Sequence, residues 1–423
     1  MPCKGGQDGR RVFAPAAERE NRMADGNSPR PLRNGITTGT CAAAAAACAM
    51  RLVLTGESAA GIAIHTPAGI VVHPEILYIS RTSDSSAACG IRKDAGDDPD
   101  ITGGTEIRAE VTRLTGTEEN LQARKEYTDP DFPGLFLTGG NGVGTVTMPG
   151  LPDPAGFPAI NPVPRRMIFS ACADELRRAG RTAGGDAWFR TVISVPEGEK
   201  LAARTFNPRL GVVGGISILG TSGIVRPMSE DALTASIRLD IRTKTARGLR
   251  ALAAAPGNIG AGELSRRFGI PENRIVTISN YVGDSFRMMA EEGAERVLLA
   301  GHPGKLIKIT GGVMNTHSKY GDRRMELMAD AARAAGAGQA VLARMQSLRT
   351  TDEACALLRE NGLLGRAMAI AADRVKAVLE GRFPLRVEVV LSSERAGLLV
   401  KTGGAEAFAR EIRGAGEEAA GIR

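Results

Sequence analysis

The sequence is poor in the residues on which metal and thiol chemistry usually depend. Its 423 residues include four histidines, all far apart, which argues against a dedicated protein-bound metal. None of its six cysteines forms a CxxC pair, and two of them, Cys41 and Cys48, lie in an alanine-rich stretch. We therefore expect reduced thiols in a cytoplasmic protein. The sequence also lacks an apolar run of about 18 residues, so no membrane span is predicted.

Aromatic residues are scarce as well, at 4% of the chain, which leaves few platforms on which nucleic-acid bases could stack. The formal net charge is +7, but residues 1–33 hold seven basic and four acidic side chains. The other 390 residues therefore keep a charge of +4, which is ordinary for that length. No nucleic-acid partner is expected, and the small positive excess suits a small polyanionic substrate equally well.

The first 33 residues are polar and rich in arginine, without the apolar segment of a secretory signal. Their composition predicts a disordered tail. Met23 is an alternative start, so the residues before it are either a real flexible extension or lie upstream of the true start. For the rest of the chain we predict an α+β domain over 34–208, a Rossmann-like α/β domain over 209–395, and a C-terminal segment over 396–423 that is loose at its end.

An alanine-rich stretch over residues 41–54 predicts a helix with one charged side chain, Arg51, and therefore a helix buried on most sides. Three threonines precede it and are candidate N-cap residues: Thr37, Thr38 and Thr40. Two interpretations stay open. Capping and tight packing account for these threonines, or the buried helix N-terminus faces a carboxylate-bearing ligand.

A crowded acidic loop covers residues 93–102, with the sequence KDAGDDPDIT. Its carboxylates belong to Asp94, Asp97, Asp98 and Asp100. Mutual repulsion predicts a raised pKa for some of them. Such a loop serves as a general base, as a cation site or as a framework of Asx turns, and its spacing matches no EF-hand.

Residues 138–166 are rich in glycine and proline. The GGNGVG segment does not lie between the strand and helix of a βαβ unit, so a dinucleotide-binding fingerprint is not supported. A stiff proline-containing loop then leads into a helix predicted over residues 167–179. This rigid entry would hold Arg165 and Arg166 in place, and arginine suits bidentate carboxylate binding.

From residue 211 onward, apolar runs alternate with polar loops that contain glycine. The predicted strands cover residues 212–219, 249–255, 274–279 and 296–300. This rhythm predicts a doubly wound parallel sheet, in which ligands bind at the carboxyl ends of the strands. The polar residues expected to converge there are Thr221, Ser222, Asn258, Asn280, Asp284, His302 and Lys305.

Six stretches resemble the cobalt-precorrin-5B C-1-methyltransferase family of anaerobic cobalamin biosynthesis. They are NGITTGTCAAAA, KDAGDDPDIT, PAINPVPRRMI, GGISILGTSGIVRPMSEDA, SNYVGDSF and KLIKITGGVMNTHS. The resemblance spans residues 34–395. It implies transfer of a methyl group from S-adenosylmethionine to C-1 of cobalt-precorrin-5B, giving cobalt-precorrin-6A, with cobalt present as part of the substrate. It also implies one α+β domain and one Rossmann-like domain.

This resemblance suggests roles for the polar residues. The predicted donor pocket comprises Gly220, Thr221, Ser222, Gly223, Asn280, Asp284, His302, Gly304 and Lys305. The acidic arms of the corrinoid would be held by Thr37, Thr38, Thr40, Arg165, Arg166 and His317. One of the carboxylates of Asp94, Asp97 and Asp98 would act as a base or as an electrostatic partner of the sulfonium donor.

Two other classes of function are compatible with the sequence. One is a non-catalytic carrier of tetrapyrrole intermediates, which would bind the corrinoid alone. The other is a nucleotide-dependent enzyme that uses the same sheet. We expect a small-molecule corrinoid partner and no nucleic-acid or membrane partner, and a homo-oligomer remains open.

Overall fold

The computed structural model describes residues 32–115, 125–182, 184, 187–205 and 207–414. The predicted tail over residues 1–33 lies almost entirely outside this part of the chain. We call the elements from β1 to β13 the first unit and those from α4 to α12 the second unit.

The first unit contains thirteen strands and three helices among the described residues. The strands are β1 (Gly35–Ile36), β2 (Ile64–His65), β3 (Val71–Val72), β4 (Ile76–Ser83), β5 (Ser86–Arg92), β6 (Glu106–Leu114), β7 (Leu135–Gly139), β8 (Gly142–Val143), β9 (Thr145–Val146), β10 (Trp188–Ser194), β11 (Val212–Val213), β12 (Gly215–Ile216) and β13 (Ile224–Val225). The helices are α1 (Thr38–Thr55), α2 (Pro162–Arg178) and α3 (Gly198–Ala202).

Helix α1 is the centre of the first unit. Alanine favours helix and adds little bulk, so this helix packs closely against α2 and against strands β5 and β6. Thr37 caps its start by accepting a hydrogen bond from the backbone N–H of Thr40, as the sequence predicted. By length and composition α1 could cross a membrane, but 78% of it is buried inside the protein, which is typical of a core helix.

The main sheet of the first unit has the strand order β4-β5-β6-β10-β7, antiparallel except for the β10–β7 pair. In β6 the side chains of Ile107, Ala109 and Val111 alternate into the core, which is the pattern of a half-buried strand. Strands β2 and β3 form an antiparallel hairpin.

The prediction for residues 212–219 is wrong. They form the two short strands β11 and β12, which pair with β9 and β8 of the first unit, and the following β13 pairs with β1. The physical reason is the glycine in the apolar run: a Cβ on Gly215 would lie 2.2 Å from the carbonyl oxygen of Gly142. The chain uses this stretch for close backbone approach to the first unit, although it lies beyond the boundary that we predicted at residue 209.

The second unit alternates strands and helices. Its strands are β14 (Ala251–Ala255), β15 (Ile275–Thr277), β16 (Arg296–Gly301), β17 (Arg386–Ser393) and β18 (Gly397–Lys401). Its helices are α4 (Glu230–Thr245), α5 (Asn258–Arg266), α6 (Val282–Glu291), α7 (Pro303–Thr310), α8 (Arg324–Ala334), α9 (Gln339–Gln346), α10 (Thr351–Glu360), α11 (Leu364–Arg382) and α12 (Ala405–Gly414).

The sheet of the second unit has the order β15-β14-β16-β17-β18, with the first four strands parallel and β18 antiparallel. Alternate residues of β14 face opposite layers: Leu252 and Ala254 pack under helices such as α6 and α11, whereas Ala251 and Ala253 pack against α5 and α12. Helices therefore cover both faces. Numbered along the chain, the strand order is 2-1-3-4-5, which differs from the Rossmann order 3-2-1-4-5-6. The mixed α/β architecture is as predicted, but the Rossmann-like classification is not confirmed.

The described part of the C-terminal segment packs with the second unit. Strand β18 extends the sheet, and α12 buries Ala405, Ala409 and Ile412 against it. These apolar positions recur every three to four residues, which is the pattern of an amphipathic helix. The loose end that the sequence predicts lies outside the described part of the chain from residue 415 onward.

Candidate functional site

Two large clefts open on the surface, one in each unit. The first cleft, of about 780 Å³, lies between β1, the β2–β3 hairpin and the acidic loop. Its charged lining residues are Arg33, Glu75, Arg92, Lys93, Asp94, Asp98 and Asp100. A smaller cavity of about 180 Å³ shares Lys93 and Asp100 with it and reaches Thr37 and Thr38.

The carboxylates of the acidic loop are held by partners within the protein. Asp94 pairs with the guanidinium of Arg33 at 2.8 Å from Nη2, and Asp97 accepts the backbone N–H of Arg33 at 2.6 Å. Asp98 is half-buried and accepts the backbone N–H of Met228 at 3.0 Å. These contacts are what the framework interpretation of the loop expects, and they leave a catalytic role as a prediction.

Lys93 is a buried residue of this loop that sequence reasoning did not select. Its side chain is 2% exposed, and its ammonium lies 2.6 Å from Asp100. Burial alone would raise the pKa of Asp100, but Lys93 and two hydrogen bonds from Thr102 together hold that pKa below its ordinary value. The pKa of Asp94 is also lowered, chiefly by its hydrogen bond from Arg33. The raised pKa values predicted from mutual repulsion are therefore wrong for these two groups.

The three threonines at the start of α1 bind the chain itself. The Thr38 hydroxyl exchanges hydrogen bonds with the backbone of Leu219, and the Thr40 hydroxyl donates to the carbonyl of Gly223 at 2.7 Å. The backbone N–H of Gly39 also donates to Leu219. The N–H groups of Thr40 and Cys41 donate to the side chain and the carbonyl of Thr37, so the amides of Gly39, Thr40 and Cys41 all have partners within the chain.

The same contacts relocate four residues of the predicted donor pocket. The 220–223 loop, with Gly220, Thr221, Ser222 and Gly223, lies against the start of α1 and the β2–β3 hairpin. The packing is close: a Cβ on Gly220 would lie 2.4 Å from Thr37, and one on Gly223 would lie 2.7 Å from Thr66. The expected convergence of this loop with the strand ends of the second unit is therefore wrong. The loop belongs to the first unit because the strands on either side of it, β12 and β13, pair with β8 and β1.

Arg165 and Arg166 lie within α2, which begins at Pro162 and not at the predicted residue 167. Both arginines have partners in the protein. The Arg165 guanidinium lies 4.0 Å from the centre of the Tyr127 ring and 3.4 Å from buried Asp153. Arg166, 66% exposed, pairs with Asp131 at 3.0 Å. Neither arginine lines one of the clefts described here, so a grip on the corrinoid stays a prediction.

The second cleft, of about 740 Å³, opens at the carboxyl edge of the parallel sheet. The loops after β14, β15 and β16 supply it, together with the segments before α8 and α10. The structure brings together these predicted residues: Asn258, Asn280, His302, Gly304, Lys305 and His317. Asp284 does not line the cleft, and its carboxylate pairs with Arg287 one turn along α6.

His302 caps α7 and is oriented from both sides. Its Nδ1 accepts the backbone N–H of Gly304 at 3.0 Å, and its Nε2 lies 3.2 Å from Asp352. A neutral imidazole has one donor and one acceptor nitrogen, so the proton sits on Nε2 and is donated to Asp352. His317 likewise uses Nδ1 to accept the N–H of Lys319, at 3.1 Å.

Two lysines on α7 extend into the second cleft. Lys305 donates to the carbonyl of Pro256 at 3.1 Å, and Lys308, 4% exposed, donates to the carbonyls of Thr316 and Gly321. Burial lowers the pKa of Lys305, and the neighbouring charge of Lys308 adds to that effect. Lys308 was missed by sequence reasoning, although its spacing of three residues from Lys305 in a helix places both on one face.

The two clefts are joined by a short stretch of surface. The backbone N–H of Met228 donates to Asp98 of the first cleft. Two residues later, Glu230 forms an ion pair with Lys319. Lys319 follows His317 of the second cleft by two residues. Met228 is 70% exposed and has φ 54, a conformation that non-glycine residues rarely adopt. Strain of this kind is often found at functional sites.

The fold and clefts define a mixed α/β protein with one large cleft in each of two units. Family models named "CbiD" and "CbiD, C-terminal domain" match residues 25–227 and 315–403. Relatives named cobalt-precorrin-5B C(1)-methyltransferase include one from Thermoanaerobacter sp. (strain X514), 40% identical over 88% of this chain and 96% of its own. Another, from Moorella thermoacetica, is 37% identical over 90% and 97%. The chain belongs to the CbiD family.

A crystal structure of a cobalamin biosynthesis protein from Archaeoglobus fulgidus is also similar in sequence, at 25% identity. The match covers 69% of this chain and 84% of that one, with a TM-score of 0.35. Among the described residues no group of three or more histidine, cysteine, aspartate or glutamate side chains is placed to hold a metal ion.

Proposed function

We propose that this protein transfers a methyl group from S-adenosylmethionine to C-1 of cobalt-precorrin-5B, giving cobalt-precorrin-6A in anaerobic cobalamin biosynthesis. The observation that carries this proposal is the 37–40% identity, over nearly nine-tenths of the chain, to relatives named for this reaction. The cobalt belongs to the substrate. As a soluble biosynthetic enzyme, the protein would act in the cytoplasm, as its composition predicts.

We assign the donor to the second cleft. In doubly wound sheets, ligands bind where the strand order reverses, outside the carboxyl ends of the strands. In this sheet the reversal falls between β14 and β16, and the second cleft opens there. This is the sense in which we infer a Rossmann-like domain: the ligand position follows the same rule although the strand order differs.

The residues of the second cleft fit such a donor. Gly257, ahead of α5, has extended backbone, and a Cβ added there meets nothing within 4 Å, so a ligand has room against the backbone. The start of α5 has no side-chain cap, which leaves its first N–H groups directed at the cleft. Asn280 offers an amide for polar groups of the ligand, and Lys305 offers an ammonium for a carboxylate. When bound, the donor supplies a methyl group on a sulfonium.

We assign the ring of the substrate to the first cleft and to the surface around Met228. A flat macrocycle needs an apolar platform with charged groups at its rim. Met228, 70% exposed and bonded to Asp98, supplies apolar surface beside the acidic loop. The enzyme's main task is to align the reacting carbon with the methyl group and exclude water.

Asp98 is the carboxylate that we assign to the reaction centre. Of the three aspartates predicted to act, Asp94 and Asp98 line the first cleft and Asp97 does not. Asp94 is neutralised by Arg33, whereas Asp98 faces the cleft with a backbone N–H as its partner. It can accept a ring proton or offset positive charge as the methyl group is transferred.

An anaerobic assay with cobalt-precorrin-5B tests the reaction. The protein is incubated with the substrate, with and without donor, and the corrinoid is analysed by mass spectrometry. A methylated product that forms only with donor supports the proposal. Binding of the corrinoid without methylation, and without donor binding in calorimetry, would instead identify a carrier of pathway intermediates. Binding of ATP or NAD in place of the donor would indicate a nucleotide-dependent enzyme.

A further inference from the structure

The second cleft contains two ammonium groups with no carboxylate counter-ion. Over the described ranges, no ion pair joins an acidic side chain to Lys305 or Lys308, although both line the cleft and Lys308 is 4% exposed. Other buried lysines of this protein behave differently: Lys93 pairs with Asp100, and Lys244 pairs with Asp240. Removing a charge from water without a partner is strongly unfavourable, so an uncompensated pair needs explanation.

The acidic groups near the cleft are already engaged. Asp352 faces the Nε2 of His302 at 3.2 Å. Asp322 binds the guanidinium of Arg324 through both of its oxygens, each at 2.6 Å. The pKa of Asp322 is lowered chiefly by its hydrogen bond from Arg324, and Lys308 makes the smallest contribution. The cleft therefore keeps an excess of positive charge after its internal pairs are formed.

The hydrogen-bond count leaves donors free in the cleft. An ammonium has three N–H groups. Lys305 donates to one described acceptor, the carbonyl of Pro256, and Lys308 to two, the carbonyls of Thr316 and Gly321. Carbonyl contacts fix both ammonium groups in position and leave two N–H groups on Lys305 and one on Lys308.

We propose that the second cleft contains a carboxylate subsite formed by Lys305 and Lys308. This inference rests on the proposed function and specifies how the cleft recognises its ligand. The carboxylate comes either from the amino-acid end of the donor or from an acetate or propionate arm of the corrinoid. Two fixed ammonium groups on one helix face, beside the uncapped start of α5, bind such a group by charge-assisted hydrogen bonds.

Calorimetry with paired probes tests the subsite and separates the two sources. The donor arm compares S-adenosylmethionine with its decarboxylated analogue. The corrinoid arm compares cobyrinic acid, which has free side-arm carboxylates, with its fully amidated form. Each probe is titrated into the wild-type protein, Lys305→Met, Lys308→Met and the control Lys401→Met. The control removes the same charge from an exposed position on β18, outside the cleft.

In one arm, we expect the wild-type protein to bind the probe with the carboxylate about 10- to 100-fold more tightly than the probe without it. This is the effect expected for one charged hydrogen bond. Lys305→Met should abolish that preference, and Lys401→Met should retain it. The arm that shows the effect identifies the source of the carboxylate. If Lys308→Met does not fold, Lys305→Met decides alone, because Lys305 is only partly buried.

The proposal is overturned if wild type shows no preference for either acid, or if Lys305→Met keeps the wild-type preference. If Lys308 only holds the carbonyls of Thr316 and Gly321 in place, Lys308→Met should have a lower melting temperature and the wild-type preference for the carboxylate-bearing probe. Because binding is read without turnover, failure of the subsite is distinguishable from failure of the methyl transfer assay.

Discussion

The carboxylate of Asp98 accepts the backbone N–H of Met228 across 130 residues of sequence, at 3.0 Å. This bond attaches the acidic loop of the first cleft to the segment that enters α4 of the second unit. It also places a half-buried carboxylate beside the exposed, positive-φ Met228. A carboxylate and an apolar platform therefore lie together at the junction between the two clefts.

Asp98→Asn should slow methyl transfer more than either neighbouring substitution. We expect a loss of at least about a hundredfold in single-turnover rate, the usual scale for loss of general acid–base help. Asp97→Asn is the matched control, since Asp97 does not line the cleft. Asp94→Asn breaks an exposed pair with Arg33 and should change stability by less than about 1 kcal/mol. Normal turnover in all three folded variants would make the loop a framework only.

Gly257→Val should weaken donor binding at least about tenfold while the protein stays folded. Its backbone is extended and its Cβ would enter open space, so the new side chain occupies the donor's position. Gly223→Val, in the loop that the sequence analysis placed in the donor pocket, should instead lower stability. Gly223 has φ 77, and its Cβ would meet Thr66 at 2.7 Å.

Thermal unfolding and donor calorimetry on both valine variants check this pair. Suppose that Gly257→Val keeps the wild-type donor affinity and that Gly223→Val folds but does not bind the donor. The donor pocket would then lie at the 220–223 loop.

Arg166→Ala tests the predicted grip on the corrinoid arms. Loss of one charged hydrogen bond should weaken corrinoid binding by about 1.5–3 kcal/mol and leave donor binding unchanged. The Arg166–Asp131 pair is 66% and 63% exposed, so its loss should change the free energy of unfolding by less than about 1 kcal/mol. Equilibrium binding of cobyrinic acid, followed by its visible absorption, gives the measurement. Wild-type affinity in the variant would exclude Arg166 from the substrate site.

Asp153 should make the protein less stable as the pH rises from about 4 to 6. Burial raises the pKa of this carboxyl to about 6, although Arg165 opposes the shift. The folded state therefore binds the proton more tightly than the unfolded state in this window, and stability falls as the proton is lost. Relative to Asp153→Asn, the wild-type free energy of unfolding should fall by about 1–3 kcal/mol.

Denaturant unfolding at a series of pH values measures this difference. Asp131→Asn, which removes an exposed carboxylate from the same unit, should show no such trend relative to wild type. A wild-type curve parallel to that of Asp153→Asn would mean that the Asp153 pKa is not raised.

Local patterns predicted much of the fold. The alanine run gave α1 and its Thr37 cap, and three of the four predicted strands of the second sheet are β14, β15 and β16. Their loops lead to the second cleft, because parallel strand ends share one edge whatever the rest of the chain does. The apolar run at residues 212–219 was misleading because Gly215 serves close backbone contact with Gly142, a partner far away in sequence.

The candidate site was less predictable, since the partners of a side chain are set by tertiary contacts. Asp94 gains Arg33 from a segment that looked like disordered tail, and Arg165 finds Tyr127 and Asp153. The residues next to Lys308 in the sequence do not indicate that its charge lacks a counter-ion. The missing ion pair depends on the partners that Asp322 and Asp352 have in the folded protein.

The pairing of β1 with β13 has a consequence for synthesis on the ribosome. The strand that begins at Gly35 obtains its partner at Ile224 and Val225, so the first unit cannot close until nearly 200 residues more have emerged. The hydroxyls of Thr38 and Thr40 at the start of α1 need the same segment, because they donate to the carbonyls of Leu219 and Gly223. A fragment cut at residue 208 would therefore lack three strands, and a nascent chain stalled there would expose an apolar helix with its first turn unfinished.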